Sequence, residues 1–571
     1  MVNRETLIQN LITLNNKNVI KMIYGLIIVL FIYSTNWEVD PLHDGLTFPS
    51  ALAISQGKII FRDVHTQYGL LQPTIEGFFI YLTGPYLIIQ RLVATMCIIF
   101  TSILIYLCCK NLSNFNPYIP AITFLALTPS WNNMPSTEHP IARAAWPNSY
   151  GVLFQMIFIY LFILYQKKLK ANLLFLCGIA LAVSAFARIQ FALISVIILI
   201  STLIIGRSRK YIILVIGYIL TISVFLITLF KEAALSFLFD QIIRVLFDSG
   251  YNSVRAPSFG TSIKIYFALG IILLSFFIIM LLINNRTILF LLIYSSIILM
   301  TYFLYPNSTQ YSGKLFSLIK IISENVILSP IFFIIIISNL LIIFQIIYTL
   351  KNKTRFIDLI MNNKVYTLIC VVSLTNMIQM HIFSSGYYYF ILPSYLILFY
   401  VFYLKFIKEN INFMGSKLDN LNSIAFPLII CLSITNYFFT VHKKSYLYDA
   451  PVLKYMKSYD PNKFPIVNNI TLTEANFPLG STVSINCLYG LYSVNQNGYI
   501  SNSRYQWNYL PTELMKDKIK IDSNLPPNYL INCSNTDGTR NTLIFANHNY
   551  KEIKRFKINN NEILTINELS R

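Results

Sequence analysis

The chain alternates between long apolar runs and short polar segments from Val19 to Val441. A hydrocarbon core of about 30 Å requires roughly 20 apolar residues of helix, and runs of this size recur throughout that region. They predict about thirteen membrane-spanning helices, some of them short or re-entrant. The expected spans are 19–37, 85–109, 117–131, 148–166, 172–187, 189–206, 211–231, 263–283, 286–305, 326–350, 364–383, 388–407 and 422–441.

Basic residues are concentrated in alternate connections between these runs, for example 167–170, 207–210 and 351–364. Because Lys and Arg are retained on the cytoplasmic side, this pattern predicts a cytoplasmic N-terminus and an external segment 38–84. The sequence has 44 Lys and Arg against 24 Asp and Glu, a net charge of +20. Most of the excess positive charge lies in the connections that are expected on the cytoplasmic side, so it reflects the orientation of the chain in the membrane. We therefore expect no nucleic-acid partner. With 55% hydrophobic and 12% charged residues, a soluble globular protein is excluded.

The composition changes after residue 441, where turn signals separate short alternating segments such as 482–485 and 542–545. We therefore expect two domains, a mainly α polytopic membrane domain over 1–441 and a C-terminal domain over 442–571. The second is expected to be a small, extracytoplasmic α+β or mostly β domain.

The eight cysteines form no C-x-x-C pair and show no metal-ligand spacing. Cys487 and Cys533 are the cysteines of the C-terminal domain and would face an oxidising compartment, so we predict a disulfide between them. Two buried free thiols are the alternative. The other six lie in apolar runs and are expected to be core residues: Cys97, Cys108, Cys109, Cys177, Cys370 and Cys431.

Acidic residues are scarce, yet Asp40, Asp44 and Asp63 lie together in the external segment 38–84. A carboxylate at a membrane boundary is costly unless it is solvated, paired or used. Such a cluster could supply a general base for an acceptor hydroxyl or amine. The alternative is a solvated loop. Residues next to these carboxylates are candidates for substrate binding: His43, Arg62, His65 and Tyr68.

The order of motifs in this segment resembles the C-type (GT-C) superfamily of polytopic glycosyltransferases. The similarity is greatest to the group of protein O-mannosyltransferases, aminoarabinose transferases and bacterial relatives. It is carried by His43-Asp44-Gly45, an amphipathic run to Gly57, Phe61-Arg62-Asp63, Gln67-Tyr68-Gly69, Tyr81-Leu82-Thr83-Gly84 and Gln90-Arg91-Leu92.

This resemblance implies transfer of a sugar from a polyprenyl-phosphate carrier to an extracytoplasmic acceptor. It assigns the role of base to Asp44, with Asp40 as the competing candidate, and places Asp63 at the family's second acidic position. Many relatives have Asp-Glu where this chain has Asp44-Gly45.

A lipid-phosphate leaving group requires cationic side chains at the external face. Arg143 and Arg188 meet this condition; the alternative for Arg188 is an arginine that extends to the interface for structural reasons. Arg91 opens the second span and is expected to pair with headgroups or with an acidic loop residue. Further candidates near the acceptor or donor are His139, Gln190, His381, Lys314 and Lys320.

The sequence contains no Gly-rich nucleotide-binding loop and no Asp-x-Asp motif. We therefore expect no cofactor and no metal, although carboxylates suit hard cations. The expected partners are a polyprenyl-phosphate sugar, membrane lipid and an acceptor glycan, lipid or protein, in a multi-pass protein of the cell inner (plasma) membrane. An envelope-polysaccharide polymerase, a flippase of lipid-linked sugars and a membrane-anchored scaffold are the alternatives.

Overall fold

A computed structural model gives the architecture. It describes residues 17–36, 39, 41–60, 69–112, 116–128, 147–206, 208–230, 364–383, 392–403, 445–447, 449, 453–458, 483–486, 528–535, 549–557 and 562–570. The expected spans 263–283, 286–305, 326–350 and 422–441 lie outside these residues, as does Cys431.

The described part of residues 1–441 is helical. In chain order, the α-helices α1 to α11 are Lys17–Tyr33, Pro41–Ser55, Leu71–Thr83, Leu87–Leu112, Tyr118–Leu127, Pro147–Lys168, Ala171–Ala185, Ile189–Gly206, Ile212–Phe230, Lys364–Phe383 and Leu392–Ile397. A π-helix, Leu398–Tyr403, continues α11. Short 3-10 helices occur at Ser34–Asn36 and Arg209–Tyr211.

Three helical stretches in the described part are long and apolar enough to cross a membrane: Leu87–Leu112, Asn148–Lys168 and Arg209–Ile227. Their ends lie within four residues of those of the expected spans 85–109, 148–166 and 211–231. The expected span 117–131 is different, because α5 ends at Leu127 and its ten residues are only about 15 Å long.

The core of the helical region is formed around α4. Ser102 of α4 donates a hydrogen bond to the carbonyl of Ala121 in α5, 2.9 Å away. Its oxygen lies 3.0 Å from the hydroxyl of Tyr24 in α1, and since the single proton of Ser102 is directed to Ala121, Tyr24 is the donor. This buried contact fixes α1, α4 and α5 to one another.

The prediction that cysteines in apolar runs are core residues is confirmed for those in the described region. Cys97, Cys108, Cys109, Cys177 and Cys370 are all buried and unbridged. They pack as small apolar side chains within the helical core.

Helices α7 and α9 approach each other so closely that only glycine fits at the contact. A Cβ atom at Gly178 would lie 2.1 Å from the carbonyl oxygen of Leu214. In the same contact, a Cβ at Gly217 would lie 2.4 Å from the carbonyl oxygen of Phe175. Small residues of this kind let membrane helices pack backbone against backbone.

We expect Gly178→Ala to lower the thermal unfolding temperature in detergent, with a cost of roughly 1–3 kcal/mol, because the two backbones must separate. Gly25→Ala is the matched control, since a Cβ there meets nothing within 4 Å. An equal melting temperature for Gly178→Ala and Gly25→Ala would contradict the close contact.

Five of the described basic residues lie together at one end of the bundle: Lys110, Lys167, Lys168, Arg209 and Lys210. Lys167 at the end of α6 donates to Asn111 at the end of α4, 3.1 Å away. In the same region, Gln166 donates to the hydroxyl of Tyr211, beside Arg209 and Lys210, at 2.9 Å. The first turns of α4, α6 and α8, which carry Arg91 and its neighbours, therefore lie at the opposite end.

The described elements of the C-terminal region are strands: β1 Tyr446–Leu447, β2 Lys457–Ser458, β3 Val483–Asn486, β4 Tyr529–Asn535, β5 Tyr550–Lys557 and β6 Glu562–Leu569. Strands β1 and β2 form an antiparallel hairpin. The other four form a sheet in the order β3-β4-β6-β5, in which β3 and β4 are parallel and the remaining pairs are antiparallel.

The register of β3 against β4 bears on the predicted disulfide. Asn486 pairs with Asn532, and these residues immediately precede Cys487 and Cys533 in the sequence. Cys533 belongs to β4, whereas Cys487 lies beyond the described end of β3. The disulfide therefore stays a prediction.

Candidate functional site

The amphipathic run that contains Asp44 forms helix α2. Proline at its first position, Pro41, suits a helix start because the missing N–H would have no intrahelical partner there. Asp44 lies in the first turn, where the helix dipole favours a negative charge. Its side chain is completely buried, so the alternative of a solvated loop is wrong for this residue.

Asp44 forms a buried ion pair with Arg91 at the start of α4. The Nε of Arg91 donates to Oδ1 of Asp44 at 3.1 Å, and one terminal nitrogen donates to Oδ2. Both side chains are fully shielded from solvent. Two kinds of partner are expected for Arg91, lipid headgroups and an acidic residue of the segment 38–84. In the structure the partner is the acidic residue Asp44. The fork of two charge-assisted hydrogen bonds fixes the plane of the Asp44 carboxylate.

Glu76 forms a second buried polar centre, which the sequence motifs do not indicate. It lies in α3, and its carboxylate accepts hydrogen bonds from Gln72 at 3.1 and 3.3 Å and from Gln90 at 2.6 Å. The hydroxyl of Tyr150 donates to it at 2.6 Å. Burial raises the pKa of Glu76 to about 8, and the nearby charge of Asp44 acts in the same direction. In the sequence, this centre could have been found from Glu76, which is the lone acidic residue of an otherwise uncharged helix.

Gly69 ends the Gln67-Tyr68-Gly69 motif and lies directly against the connection between α7 and α8. Its N–H donates to the carbonyl of Ala187 at 3.2 Å, and the N–H of Leu71 donates to that of Phe186 at 3.0 Å. A Cβ at Gly69 would lie 2.2 Å from the oxygen of Phe186. The motif thus requires glycine because two backbones meet here, next to Arg188.

Arg188 is buried at this connection, with its guanidinium turned toward the first turn of α6. One terminal nitrogen lies 3.4 Å from Oδ1 of Asn148, which accepts the hydrogen bond. The amide nitrogen of Asn148 is buried and has no hydrogen-bond partner among the described residues. An arginine beside an unused amide donor is an arrangement suited to an anionic group such as a phosphate.

The hairpin of the C-terminal region lies at the same end of the bundle. The ring of Tyr455 is 5.7 Å from that of Tyr86, which immediately precedes α4. The ammonium group of Lys457 lies 5.9 Å from the ring of Tyr33, at the end of α1. These contacts place residues 453–458 next to the elements that carry the Asp44–Arg91 pair.

Three predicted site residues lie in α-helices at positions where the structure describes the backbone but not the side chain. His43 lies in the first turn of α2, Gln190 at the start of α8 and His381 near the end of α10. The other candidates lie outside the described residues: Asp40, Arg62, Asp63, His65, Tyr68, His139, Arg143, Lys314 and Lys320.

Within the described ranges, no group of three or more His, Cys, Asp and Glu side chains could hold a metal ion. Asp44 is engaged with Arg91, and the donors around Glu76 are amides and a phenol. Neither carboxylate has the oxygen-rich surroundings that Mg²⁺ or Ca²⁺ prefers.

Comparisons with known proteins give similarity in structure only. No protein-family model matches the chain, and no curated protein matches its sequence significantly. The structure is similar to the oligosaccharyltransferase of Archaeoglobus fulgidus, crystallised with zinc and sulfate, with 10% identity and a TM-score of 0.46. That similarity covers 89% of this chain and 67% of the other.

A second similar structure is ArnT from Cupriavidus metallidurans bound to undecaprenyl phosphate. It has 9% identity and a TM-score of 0.47, with coverage of 96% of this chain and 98% of the other. Both neighbours are GT-C glycosyltransferases, the class that the loop motifs resemble.

Proposed function

We propose that this chain is an integral-membrane glycosyltransferase that moves a sugar from a polyprenyl-phosphate donor to an extracytoplasmic glycan, lipid or protein. The single observation that carries the proposal is the buried, bidentate Asp44–Arg91 pair at the end of the bundle away from the basic residues. A fixed carboxylate at that end suits acceptor activation, and the motifs around it resemble those of lipid-dependent transferases.

In this proposal Asp44 is the general base. A carboxylate offers about four acceptor positions, and the fork of Arg91 uses one on each oxygen. Pairing with Arg91 therefore does not by itself use every acceptor position of this carboxylate. Arg91 holds the carboxylate in one orientation, which favours proton transfer along a fixed direction.

Arg188 is the proposed contact for the phosphate of the donor. Its guanidinium lies beside the amide of Asn148, and both belong to the end of the bundle that carries Asp44. Negative charge develops on the carrier phosphate as the glycosidic bond breaks, and a buried cation stabilises that charge strongly. Arg91 is less suited to this role because its positive charge balances Asp44.

A flippase is disfavoured by the distribution of acidic residues. Transporters place ionisable residues near the bilayer midplane. The described helices α4 to α9 contain no Asp or Glu. The described carboxylates of the helical region, Asp44 and Glu76, lie instead at one end, which favours chemistry at the membrane surface.

The remaining assignments belong to the same proposal. Asp63 would help to place the acceptor or the base, and Asp40 is the competing candidate for the base. The N-terminus would be cytoplasmic, and the C-terminal region would be external. The side chains proposed to line the donor or acceptor sites are His43, Arg62, His65, Tyr68, His139, Arg143, Gln190 and His381.

The proposal is tested by the lipids of cells that lack the protein. We expect a polyprenyl-phosphate sugar to accumulate, because its consumer is missing, and to decrease again when the wild-type chain is restored. Mass spectrometry of extracted lipids measures both. An unchanged pool of lipid-linked sugars, together with unchanged envelope glycans, would refute the transferase.

We expect Arg188→Gln to weaken binding of undecaprenyl phosphate, the lipid bound in the similar ArnT structure, by about 10-fold or more. The reason is the loss of a charge-assisted hydrogen bond to phosphate. Arg209→Gln is the matched control, because Arg209 is an exposed arginine at the other end of α8, about 27 Å away. Equal affinities for the two variants, measured by lipid-dependent fluorescence, would remove Arg188 from the donor site.

A further inference from the structure

Glu76 joins three helices through one buried carboxyl group. Helix α3 packs with its polar residues facing inward, so that Gln72 and Glu76 are buried while Phe78 and Tyr81 are exposed. The carboxyl of Glu76 accepts from Gln72 of the same helix and from a residue each of α4 and α6. Such a group holds three helices at fixed distances.

On the side of α4, Glu76 is linked to the proposed base. Gln90, which contacts Glu76 at 2.6 Å, is the neighbour of Arg91, which holds Asp44. Two consecutive residues in the first turn of α4 therefore bind two different carboxyl groups. A shift of this turn relative to Glu76 would also shift Arg91.

On the side of α6, Glu76 is linked to the proposed phosphate contact. Tyr150, which donates to Glu76 at 2.6 Å, lies two residues after Asn148, the partner of Arg188. Both belong to the first turn of α6. Glu76 thus lies between the group proposed to activate the acceptor and the group proposed to hold the donor.

Charge balance favours a neutral Glu76. Among the described residues, the titratable or charged groups that face it are Asp44 from α2, Arg91 and Cys97 from α4 and Tyr150 from α6. Arg91 is the cation among them, and Asp44 already balances it. An ionised Glu76 would leave one uncompensated negative charge in a buried site, which is strongly unfavourable.

The geometry also provides an acceptor for a proton on Glu76. The 2.6 Å contact with Gln90 is short for an N–H donor and ordinary for an O–H donor. The amide oxygen of Gln90 is buried without a partner among the described residues. Oxygen and nitrogen of an amide exchange places on a half-turn, so this oxygen can accept the Glu76 proton.

We propose that Glu76 is a positioning residue that carries a proton at neutral pH and fixes the first turns of α4 and α6, thereby setting Asp44 relative to Arg188. The proposal rests on the proposed function for the meaning of these two residues. The other part of the proposal, that a protonated Glu76 holds three helices together, can be tested without that function.

The first test is thermal unfolding of the full-length protein between pH 6 and pH 9.5. The folded-state pKa of Glu76, about 8, is above its ordinary value of 4.5, so the stability that it contributes is greatest below pH 4.5. It decreases as the pH rises to about 8. Wild type should therefore lose about 2 °C in melting temperature relative to Glu76→Gln over this interval.

Two further variants make this test decisive. Glu552→Gln removes an exposed carboxylate paired with Arg555 and should follow the wild-type pH curve. Tyr150→Phe removes a hydrogen bond that favours ionised Glu76, so the loss of stability should move to higher pH. If Glu76→Gln fails to fold, this shift alone decides the result. Superimposable curves for wild type, Tyr150→Phe and any folded Glu76→Gln would overturn the inference.

The second test measures undecaprenyl phosphate binding at pH 6.5 and pH 9.5. Ionisation of the lipid phosphate affects every variant equally, so the difference between wild type and Glu76→Gln isolates Glu76. Wild type should lose about 10-fold more affinity than Glu76→Gln, an effect equal to one pKa unit of coupling. Equal losses would overturn the positioning role. Absence of wild-type binding at both pH values would instead refute the lipid-phosphate function, and the melting curves would then decide the role of Glu76.

Discussion

Membranes that contain Asp44→Asn are expected to transfer sugar about 10³-fold more slowly than wild-type membranes. Asparagine keeps the size of the side chain, but its amide cannot take a proton from an acceptor. It also leaves Arg91 without the negative charge to which its Nε and one terminal nitrogen donate. The measurement is the initial rate with the lipid-linked sugar that accumulates in cells lacking the protein.

The matched control for this experiment is Asp449→Asn, which changes an exposed aspartate of the C-terminal region. It should transfer at the wild-type rate. Immunoblots of the membranes establish that both variants are present at equal levels. Turnover by Asp44→Asn within about 10-fold of wild type would exclude Asp44 as the general base.

Arg91→Met is expected to destabilise the helical region by about 3–5 kcal/mol, the cost of leaving a buried charge without its partner. Methionine has a similar length and no charge, so packing against α2 is largely kept. The double variant Asp44→Asn/Arg91→Met should recover part of this loss, because it removes both charges. Thermal unfolding in detergent measures all three variants.

Arg555→Met is the matched control for Arg91→Met. Arg555 is also paired with a carboxylate, but both partners are exposed on β5, where water replaces the lost contact. Its melting temperature should equal that of wild type. If Arg91→Met melts together with Arg555→Met, the Asp44–Arg91 pair does not stabilise the fold.

The helices could be predicted from the sequence with small errors at their ends. Helix α4 spans Leu87–Leu112 against an expected 85–109, and α6 spans Pro147–Lys168 against 148–166. Agreement is close because a chain in lipid must satisfy its backbone hydrogen bonds locally, and an apolar run of sufficient length allows only a helix. The short α5 departs from this rule.

The site could be predicted only in part. Asp44 and Arg188 were recognised because a scarce charged residue next to an apolar run is conspicuous. For Arg91 the sequence left two partners open, and the structure selects one that is 47 residues away. Glu76 was missed because its significance lies in Gln90 and Tyr150, donors that belong to other helices.

The sequence by itself determined that this chain forms apolar helices, that basic residues occupy alternate connections and that three aspartates, Asp40, Asp44 and Asp63, lie in the segment 38–84. These properties depend on near neighbours and on the solvent. The tertiary structure decided which carboxylate Arg91 neutralises, which glycines permit helices to touch and that Glu76 is buried. A buried charge takes the partner that helix packing brings within hydrogen-bond distance, and that packing depends on residues far apart in the chain.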